Sequence, residues 1–218
     1  MVLRRRKGVF AVANWTVTSK RLLSGVMSAE TWLPTELPEY AQGFMYMLGS
    51  LTASSFAVLV ISGIVLAMNG PASWSYNGAV HFVAATHFWA VQAFFFFMML
   101  HLWRVFFTGA WRGGRGLTWL LGAIALIVAI PTAFTGFLIN GDLYSQWNAV
   151  QAKDGLNALG LGWVNLTNAG QMFGMHVVVL PLTLTVIVGL HITLVRMKSV
   201  VPPYPEAETP ALARGDDA

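Results

Sequence analysis

The sequence predicts an all-α integral membrane protein, a four-helix bundle with an amphipathic surface helix at its N-terminus. Of the 218 residues, 56% are hydrophobic and only 10% are charged, and the mean hydropathy is +0.62. Such a composition is typical of membrane proteins. Four apolar segments without Asp, Glu, Lys or Arg are long enough to cross a hydrocarbon core, which needs about 20 helical residues. The segments lie near residues 44–68, 81–103, 117–139 and 169–195.

Four of the five histidines form two spaced pairs in the second and fourth segments. His87 and His101 are 14 residues apart, and His176 and His191 are 15 apart. An α-helix turns about 100° and rises about 1.5 Å per residue, so the rings of each pair lie about 21 Å apart on roughly one face. Ionisable groups inside a bilayer are costly and usually mark function. The spacing predicts two helices that clamp two planar metal cofactors; the unpaired His81 is interpreted as interfacial or structural.

The basic residues fall almost entirely on one side of the predicted spans. Twelve of the thirteen Lys and Arg residues precede the first span, join the second to the third or follow the fourth, and Lys153 is the exception. The positive-inside rule then places both termini in the cytoplasm or its equivalent. The net charge of +4 is therefore a topology signal rather than a nucleic-acid-binding surface. Because the chain has no cysteine, disulfides and cofactors held through cysteine are excluded.

Two glycine pairs repeat the 14-residue interval in the first and third spans. Glycine in a membrane helix commonly permits close helix packing. Pairs in register with the histidines suggest a further use, which is room for a flat macrocycle against the backbone. Because successive spans alternate in direction, the glycines fall at two levels. We expect an inner level of Gly49, Gly122, His101 and His191, and an outer level of Gly63, Gly136, His87 and His176.

The chain divides into an N-terminal segment at 1–40, a four-span domain at 41–200 and a tail at 201–218. Apolar residues recur at roughly helical spacing around Lys20 and Arg21, which predicts an amphipathic helix on the cytoplasmic membrane face. A free soluble helix is the alternative. The outer loop at 140–167 has apolar residues of its own and predicts one or two short helices, and the Pro-rich polar tail predicts disorder.

With these features placed, the sequence resembles the N-terminal, four-helix half of cytochrome b from quinol–cytochrome c/plastocyanin oxidoreductases, the cytochrome bc-type complexes. The resemblance covers residues 14–203. Its carrying stretches are GSL…SGIVLAM around Gly49 and Gly63, HLWRVFFTG…RGLTW from His101, TAFTGF around Gly136, and HVVVLP from His176. The 15-residue histidine interval and the stop after four helices resemble the split-type subunit of chloroplasts and cyanobacteria, whereas one-piece relatives usually have an interval of 14.

The resemblance implies two non-covalent b-type haems, each held by two axial histidines. His87 with His176 would hold the outer haem, and His101 with His191 the inner one. The four glycines would lie against the haems, and Arg104, three residues after His101, would lie beside the inner haem.

The resemblance also implies a quinone and quinol function. Electrons would pass from an outer quinol oxidation site to an inner quinone reduction site in a Q cycle that translocates protons. Arg196, five residues after His191, and Lys20 are expected at the inner quinone site. No catalytic residue is expected in this chain, because the haems and the quinone carry the chemistry.

The implied partners are a subunit-IV-like C-terminal cytochrome b half, a Rieske iron–sulfur protein and a cytochrome c-type subunit, in a homodimeric membrane complex without nucleic acid. The chain would not oxidise quinol alone, because the Pro-Glu-Trp-Tyr-type motif of the outer site belongs to the C-terminal half.

Five positions depart from the family pattern. Ala84, three residues before His87, and Gln171, five before His176, stand where the family usually has arginines near the outer haem propionates. Met47 stands where split relatives have a cysteine that tethers an extra haem, so that haem is not expected. The family's Pro-Trp after the third span reads Asn140-Gly141 here.

Two other functions remain compatible with the residues. One is a di-haem membrane anchor that exchanges electrons between quinone and a dehydrogenase or hydrogenase. The other is a transporter or channel that uses the histidines for a metal ion or a proton relay, although the spans offer mainly Ser and Thr besides them.

Overall fold

The computed structural model describes residues 39–202, and the structural statements below concern that range. The expected N-terminal surface helix, Lys20 and residues 203–218 of the expected disordered tail lie outside the described residues. The two ends of the bundle are called inner and outer as in the sequence-based orientation. The inner end carries the connection between the second and third spans.

Five helices make up most of this range. They are α1 (Phe44–Asn69), α2 (Gly78–Phe107), α3 (Gly116–Leu138), α4 (Leu143–Ala158) and α5 (Ala169–Lys198). All except α4 are long and apolar enough to cross a membrane, and the described chain contains no strand. The predicted fold class is therefore confirmed, and the helix α4 lies within the loop for which short helices were expected.

Local sequence explains where several helices begin and end. The side chain of Asn77 accepts hydrogen bonds from the backbone N–H groups of Ala79 and Val80 and so caps α2. Asp142 caps α4 in the same way, and the Ser145 backbone N–H that bonds to it holds the pKa of this carboxyl below its usual range. Gly70, with a φ of 72°, ends α1 in a conformation that residues with a Cβ rarely adopt.

The four spans pack as two pairs, α1 along α2 and α3 along α5. The pairs meet in an apolar layer in which Phe94, Met98, Ala129 and Leu184 are buried, and Phe56 contacts Phe94 with ring centres 5.9 Å apart. Phe94 lies seven residues from each histidine of α2, so the layer is about 10 Å from either histidine level. The bundle is therefore closed by apolar side chains midway between its two histidine levels.

The outward faces of the spans are also apolar. Ile61, Met68 and Leu182 expose 66%, 83% and 62% of their surface. A soluble protein rarely exposes apolar surface so continuously, whereas a bilayer provides hydrocarbon against it.

A strap formed by residues 198–202 closes the inner end. Each of its five C=O groups accepts a hydrogen bond from a side chain elsewhere in the chain, and Val201 is only 4% exposed. The bonds run from Arg115 Nη2 to Lys198 (2.9 Å), Arg115 Nε to Ser199 (3.3 Å), Tyr40 Oη to Val200 (3.1 Å), Tyr46 Oη to Val201 (3.3 Å) and Arg112 Nη2 to Pro202 (2.8 Å). The strap thus joins the end of α5 to the α2–α3 connection and to the start of α1.

Candidate functional site

Each of the four spaced histidines lies against a glycine of the helix packed beside it. A Cβ built on any of these glycines would meet atoms of an imidazole ring. The distance to ring Cε1 would be 3.2 Å for Gly49 and His101, 3.3 Å for Gly63 and His87, and 3.0 Å for Gly122 and His191, and the distance to both ring nitrogens would be 2.9 Å for Gly136 and His176. The structure therefore brings each glycine next to a histidine of its expected level.

These glycines also serve the histidines directly. The room that they leave for a flat macrocycle stays a prediction, and the nearest group to each glycine within the described residues is the imidazole ring. The absence of a Cβ lets the ring approach the neighbouring helix backbone closely. The glycines thus set the position of the histidines.

Close approach allows the rings opposite α3 to bond to its backbone. His176 Nδ1 lies 2.8 Å from the C=O of Thr132, and His191 Nδ1 lies 2.8 Å from the C=O of Thr118. Each threonine is four residues before the glycine that faces the ring. Because a carbonyl oxygen only accepts, Nδ1 must carry the proton, which leaves the Nε2 lone pair available for a metal. A metal-bound histidine usually donates its other ring N–H in this way, to a backbone carbonyl or a similar acceptor.

The ring opposite α1 at the outer level is fixed in a similar way. Ser62 donates its hydroxyl hydrogen to the C=O of Val58 at 2.6 Å, so its oxygen accepts from Nδ1 of His87 at 2.8 Å. This hydrogen bond also leaves Nε2 of His87 unprotonated.

The two outer-level histidines are spaced as one metal ion would require. The ring centres of His87 and His176 are 6.3 Å apart, and the rings do not stack, since their planes are 84° apart. Two imidazoles on opposite sides of one metal have centres about 6 Å apart, since each metal–nitrogen bond is about 2 Å and the nitrogen lies about 1 Å from the ring centre. At the inner level, His101 and His191 lie against Gly49 and Gly122. The outer residues therefore fit a bis-histidine metal centre, and the inner histidines occupy the corresponding positions of their helices.

A π-helical turn at Met175–Val179 surrounds His176. In this turn the backbone N–H of Leu180 bonds to the C=O of Met175, five residues earlier. An α-helix would leave a 15-residue interval about 60° out of register, and the wider turn takes up the extra residue. The sequence predicted His176 and His191 on only roughly one face, and the π-helical turn at His176 accommodates the additional residue.

Arg104 provides an unused buried donor one turn beyond His101. The residue is 7% exposed, its guanidinium carbon lies 3.9 Å from the centre of the Tyr46 ring, and its Nη2 has no hydrogen-bond partner. The other buried side-chain polar atoms without a partner in the described range, Thr118 Oγ1 and Trp119 Nε1, also belong to the inner end. A buried cation with a free donor fits an acidic ligand group such as a haem propionate.

The outer end lacks a comparable cation at the two departing positions. Ala84 has no polar side-chain atom. The Gln171 side chain accepts from the N–H of Asn165 at 2.6 Å and donates to the C=O of Trp163 at 3.3 Å. The amide of Gln171 therefore fastens the outer loop.

The remaining predicted residues lie away from the histidine levels. His81 Nδ1 lies 3.1 Å from the C=O of Trp74, which agrees with a structural role. Arg196 lies in the last turn of α5, and Lys20 is outside the described residues. Within residues 39–202 no group of three or more His, Cys, Asp or Glu side chains is arranged to hold a metal ion.

A cavity of about 490 Å³ at the outer end was not foreseen from the sequence. It lies between α3, α4 and the start of α5, and its lining is almost entirely apolar. Thr135, which lines it, also lies 3.4 Å from Nδ1 of His176. The apolar residues of the outer loop were the available signal, but their packing on α3 cannot be read from spacing. The other residues that line the cavity are Pro131, Phe134, Ala152, Gly155, Leu156, Leu159, Val164, Leu166, Met172, Met175 and Leu180.

The sequence that carries this arrangement matches a known protein family. Residues 92–214, more than half of the chain, match the family model described as "Cytochrome b(N-terminal)/b6/petB". The chain belongs to the cytochrome b N-terminal family. The resemblance given by the histidine and glycine stretches is thereby confirmed, and membership implies binding of b-type haem.

Several cytochrome b relatives agree with this assignment. Cytochrome b6 of Heliobacterium mobile is 25% identical over 213 residues, which cover 87% of this chain and 99% of that protein. The cytochrome bc1 complex cytochrome b subunit of Mycobacterium bovis is 27% identical over 194 residues, covering 69% of this chain but 35% of that subunit. A solved chain from "Hyperthermophilic respiratory Complex III" shares the fold with a TM-score of 0.68 and 21% identity, covering 91% of this chain and 59% of that one. The chain is thus an integral membrane cytochrome b of the bc-type complexes, a family of electron-transfer oxidoreductase subunits.

Proposed function

We propose that this cytochrome b holds two bis-histidine b-type haems and passes electrons between an outer quinol oxidation site and an inner quinone reduction site. The observation that carries the proposal is the outer pair, His87 and His176, with ring centres 6.3 Å apart and both Nδ1 atoms hydrogen-bonded. His101 and His191 form the corresponding inner pair. Bis-histidine haem supplies one-electron transfer, because its iron has no open coordination position.

The protein contributes position, orientation and exclusion of water. Carbonyl and hydroxyl acceptors fix the tautomer of His87, His176 and His191. Gly49, Gly63, Gly122 and Gly136 let the rings sit against the helix backbone. The layer between the two levels buries apolar side chains such as Phe94 and Leu184, which supports electron transfer over a transporter or channel.

In this proposal, basic residues bind the acidic and reduced groups at the inner end. The free Nη2 of Arg104 would bind a propionate of the inner haem. Arg196 and Lys20 would border the inner quinone site, where a cation stabilises negative charge on the reduced ring. The basic residues of the inner connections support an orientation with both termini on the cytoplasmic side.

The apolar cavity beside Thr135 and His176 supports a quinol-binding region at the outer end. Its volume suits a small ring, and apolar lining with a few polar groups is usual for ligand sites. The remainder of that site would come from a subunit-IV-like C-terminal half. A Rieske protein and a cytochrome c-type subunit would complete a homodimeric complex that oxidises quinol and reduces a c-type or plastocyanin-type acceptor.

The direct test is the reduced-minus-oxidised spectrum of the complex with histidine variants. We expect the unaltered protein to show two low-spin b-type centres. Alanine at position 87 or 176 removes the outer centre alone, and alanine at position 101 or 191 removes the inner one alone.

The matched control is His81→Ala, which removes an imidazole outside both levels and should keep both centres. A spectrum without b-type bands in the unaltered protein would refute the proposed function. Loss of the same centre in the variants at 87 and 191 would refute the assignment of ligand pairs.

A second prediction concerns the redox potential of the outer haem. Without a cation at Ala84, the propionates act on the iron unopposed and favour the ferric state. We expect Ala84→Arg to raise the outer midpoint potential in a spectroscopic redox titration and to leave the inner one unchanged. This variant is cleaner than Gln171→Arg, which would also break two bonds of the outer loop. An unchanged outer potential with full haem content would show that another group already balances the propionates.

A further inference from the structure

Tyr46 lies between the strap and the one buried cationic nitrogen that has no partner among residues 39–202. Its ring supports the guanidinium of Arg104 at 3.9 Å, and its hydroxyl donates to the C=O of Val201 at 3.3 Å. Tyr40 contacts the edge of the same ring, with centres 5.9 Å apart, and donates to the C=O of Val200 at 3.1 Å. The aromatic ring is thus held on one side by the strap and bears the cation on the other.

The neighbouring basic side chains at this end donate hydrogen bonds to backbone carbonyls of the strap and of the α2–α3 connection. Arg112 and Arg115 donate to carbonyls of the strap, and Lys198 donates to the C=O of Gly114. Arg104 differs, because it is buried, stacks on an aromatic face and leaves Nη2 unpaired. An unpaired buried donor costs about 1–3 kcal/mol, so it is tolerated where a ligand group completes it.

An arginine needs support if it is to meet a ligand in one geometry. Its side chain loses up to about 2 kcal/mol of rotamer entropy when it is fixed. A desolvated cation–π contact contributes about 2 kcal/mol, enough to offset that loss. Tyr46 supplies the contact, and its hydrogen bond to Val201 prevents the ring from turning away.

We propose that Tyr46 is a positioning residue of the inner site: it orients Arg104 toward the acidic group of the inner haem, and the strap fixes Tyr46 through Val201. The inference rests on the proposed function. It assigns the strap a role beyond closing the bundle, because detachment of residues 200 and 201 would release the arginine and lower the potential of the inner haem.

The test is a redox titration of both haems in the intact membrane complex. Tyr46→Leu removes the aromatic face, and we expect it to make the inner-haem potential more negative. The shift should be more than half of the shift that Arg104→Gln causes. Tyr46→Phe keeps the face and loses only the bond to the strap, so its shift should be smaller but measurable. The outer-haem potential should not move. Tyr76→Leu, which changes a 92% exposed tyrosine of an outer loop, is the matched control and should leave the inner potential unchanged.

The double variant Tyr46→Leu, Arg104→Gln decides whether Tyr46 acts through Arg104. If it does, the double variant shifts the potential no further than Arg104→Gln alone. Additive shifts, or an unchanged inner potential in Tyr46→Leu with the haem bound, would overturn the proposal. No shift in Tyr46→Phe would overturn the role of the strap. Absence of b-type bands in the unaltered protein is a separate result that refutes the proposed function itself.

Discussion

Replacing Gly136 by alanine should remove the outer haem and leave the inner one in place. The new Cβ would lie 2.9 Å from both ring nitrogens of His176, closer than such atoms approach in real proteins. The ring must move, and it then loses its hydrogen bond to the C=O of Thr132. Overpacking of this kind costs about 1–3 kcal/mol, and metal ligation is lost with the displaced ring. Haem content should fall by about half, measured against protein by pyridine haemochrome assay.

The other facing glycines should tolerate alanine better, in the order of their distances. Gly122, Gly49 and Gly63 would place the Cβ at 3.0, 3.2 and 3.3 Å from the ring, so Gly63→Ala should be the mildest. The control is Gly189→Ala, since a Cβ at that position of α5 meets nothing within 4 Å. Full haem content in Gly136→Ala, or the same loss in Gly189→Ala, would contradict the role given to these contacts.

Deleting Val178 should leave both haems bound, although it shortens the helix that carries two of their proposed ligands. The residue lies in the π-turn, whose extra residue keeps His176 and His191 in register. Its removal turns this segment into an ordinary α-helix with a 14-residue interval, and both rings keep their faces. Deleting Val186 from the regular part of α5 should instead rotate the two histidines by about 100° relative to each other and remove one haem.

The two deletions are a matched pair, because both remove an exposed valine of the same helix, with exposed fractions of 56% and 55%. The Val186 deletion variant could restore the histidine register only by losing its π-turn. That change would rotate the buried Leu184 out of the central layer and so destabilise the bundle. Equal haem content in the two variants would show that the π-turn does not set the register. The spectrum and the haem-to-protein ratio are the measurements.

The architecture was predictable because apolar length and histidine spacing constrain it directly. The predicted span at 44–68 differs from α1 by one residue, whereas the span at 81–103 underestimates α2 at both ends. The residues added at the C-terminal end include Arg104, whose charge alone had assigned it to the boundary. Element boundaries depend on caps such as Asn77, which compete with hydropathy and carry a weaker signal.

The details of the site depended on contacts between distant parts of the chain. The offset between His176 and His191 was visible in the sequence, but its correction by a π-turn was not. The bonds from His176 to Thr132 and from Tyr46 to Val201 join residues 44 and 155 positions apart. No local sequence pattern encodes such pairs. They depend on which helices pack together and on how closely each ring approaches the neighbouring backbone.

The central layer of Phe56, Phe94 and Leu184 matters for how well the membrane resists the passage of ions. A protein that carries charge across a bilayer must prevent ions from following the electron, or the gradient it builds will leak away. Aromatic and aliphatic groups offer protons no chain of donors and acceptors, since a proton moves along hydrogen bonds. In the proposed function an electron needs no such chain, because it would tunnel between the cofactors held at the two levels. The same few apolar residues would then be a barrier to protons but not to electrons.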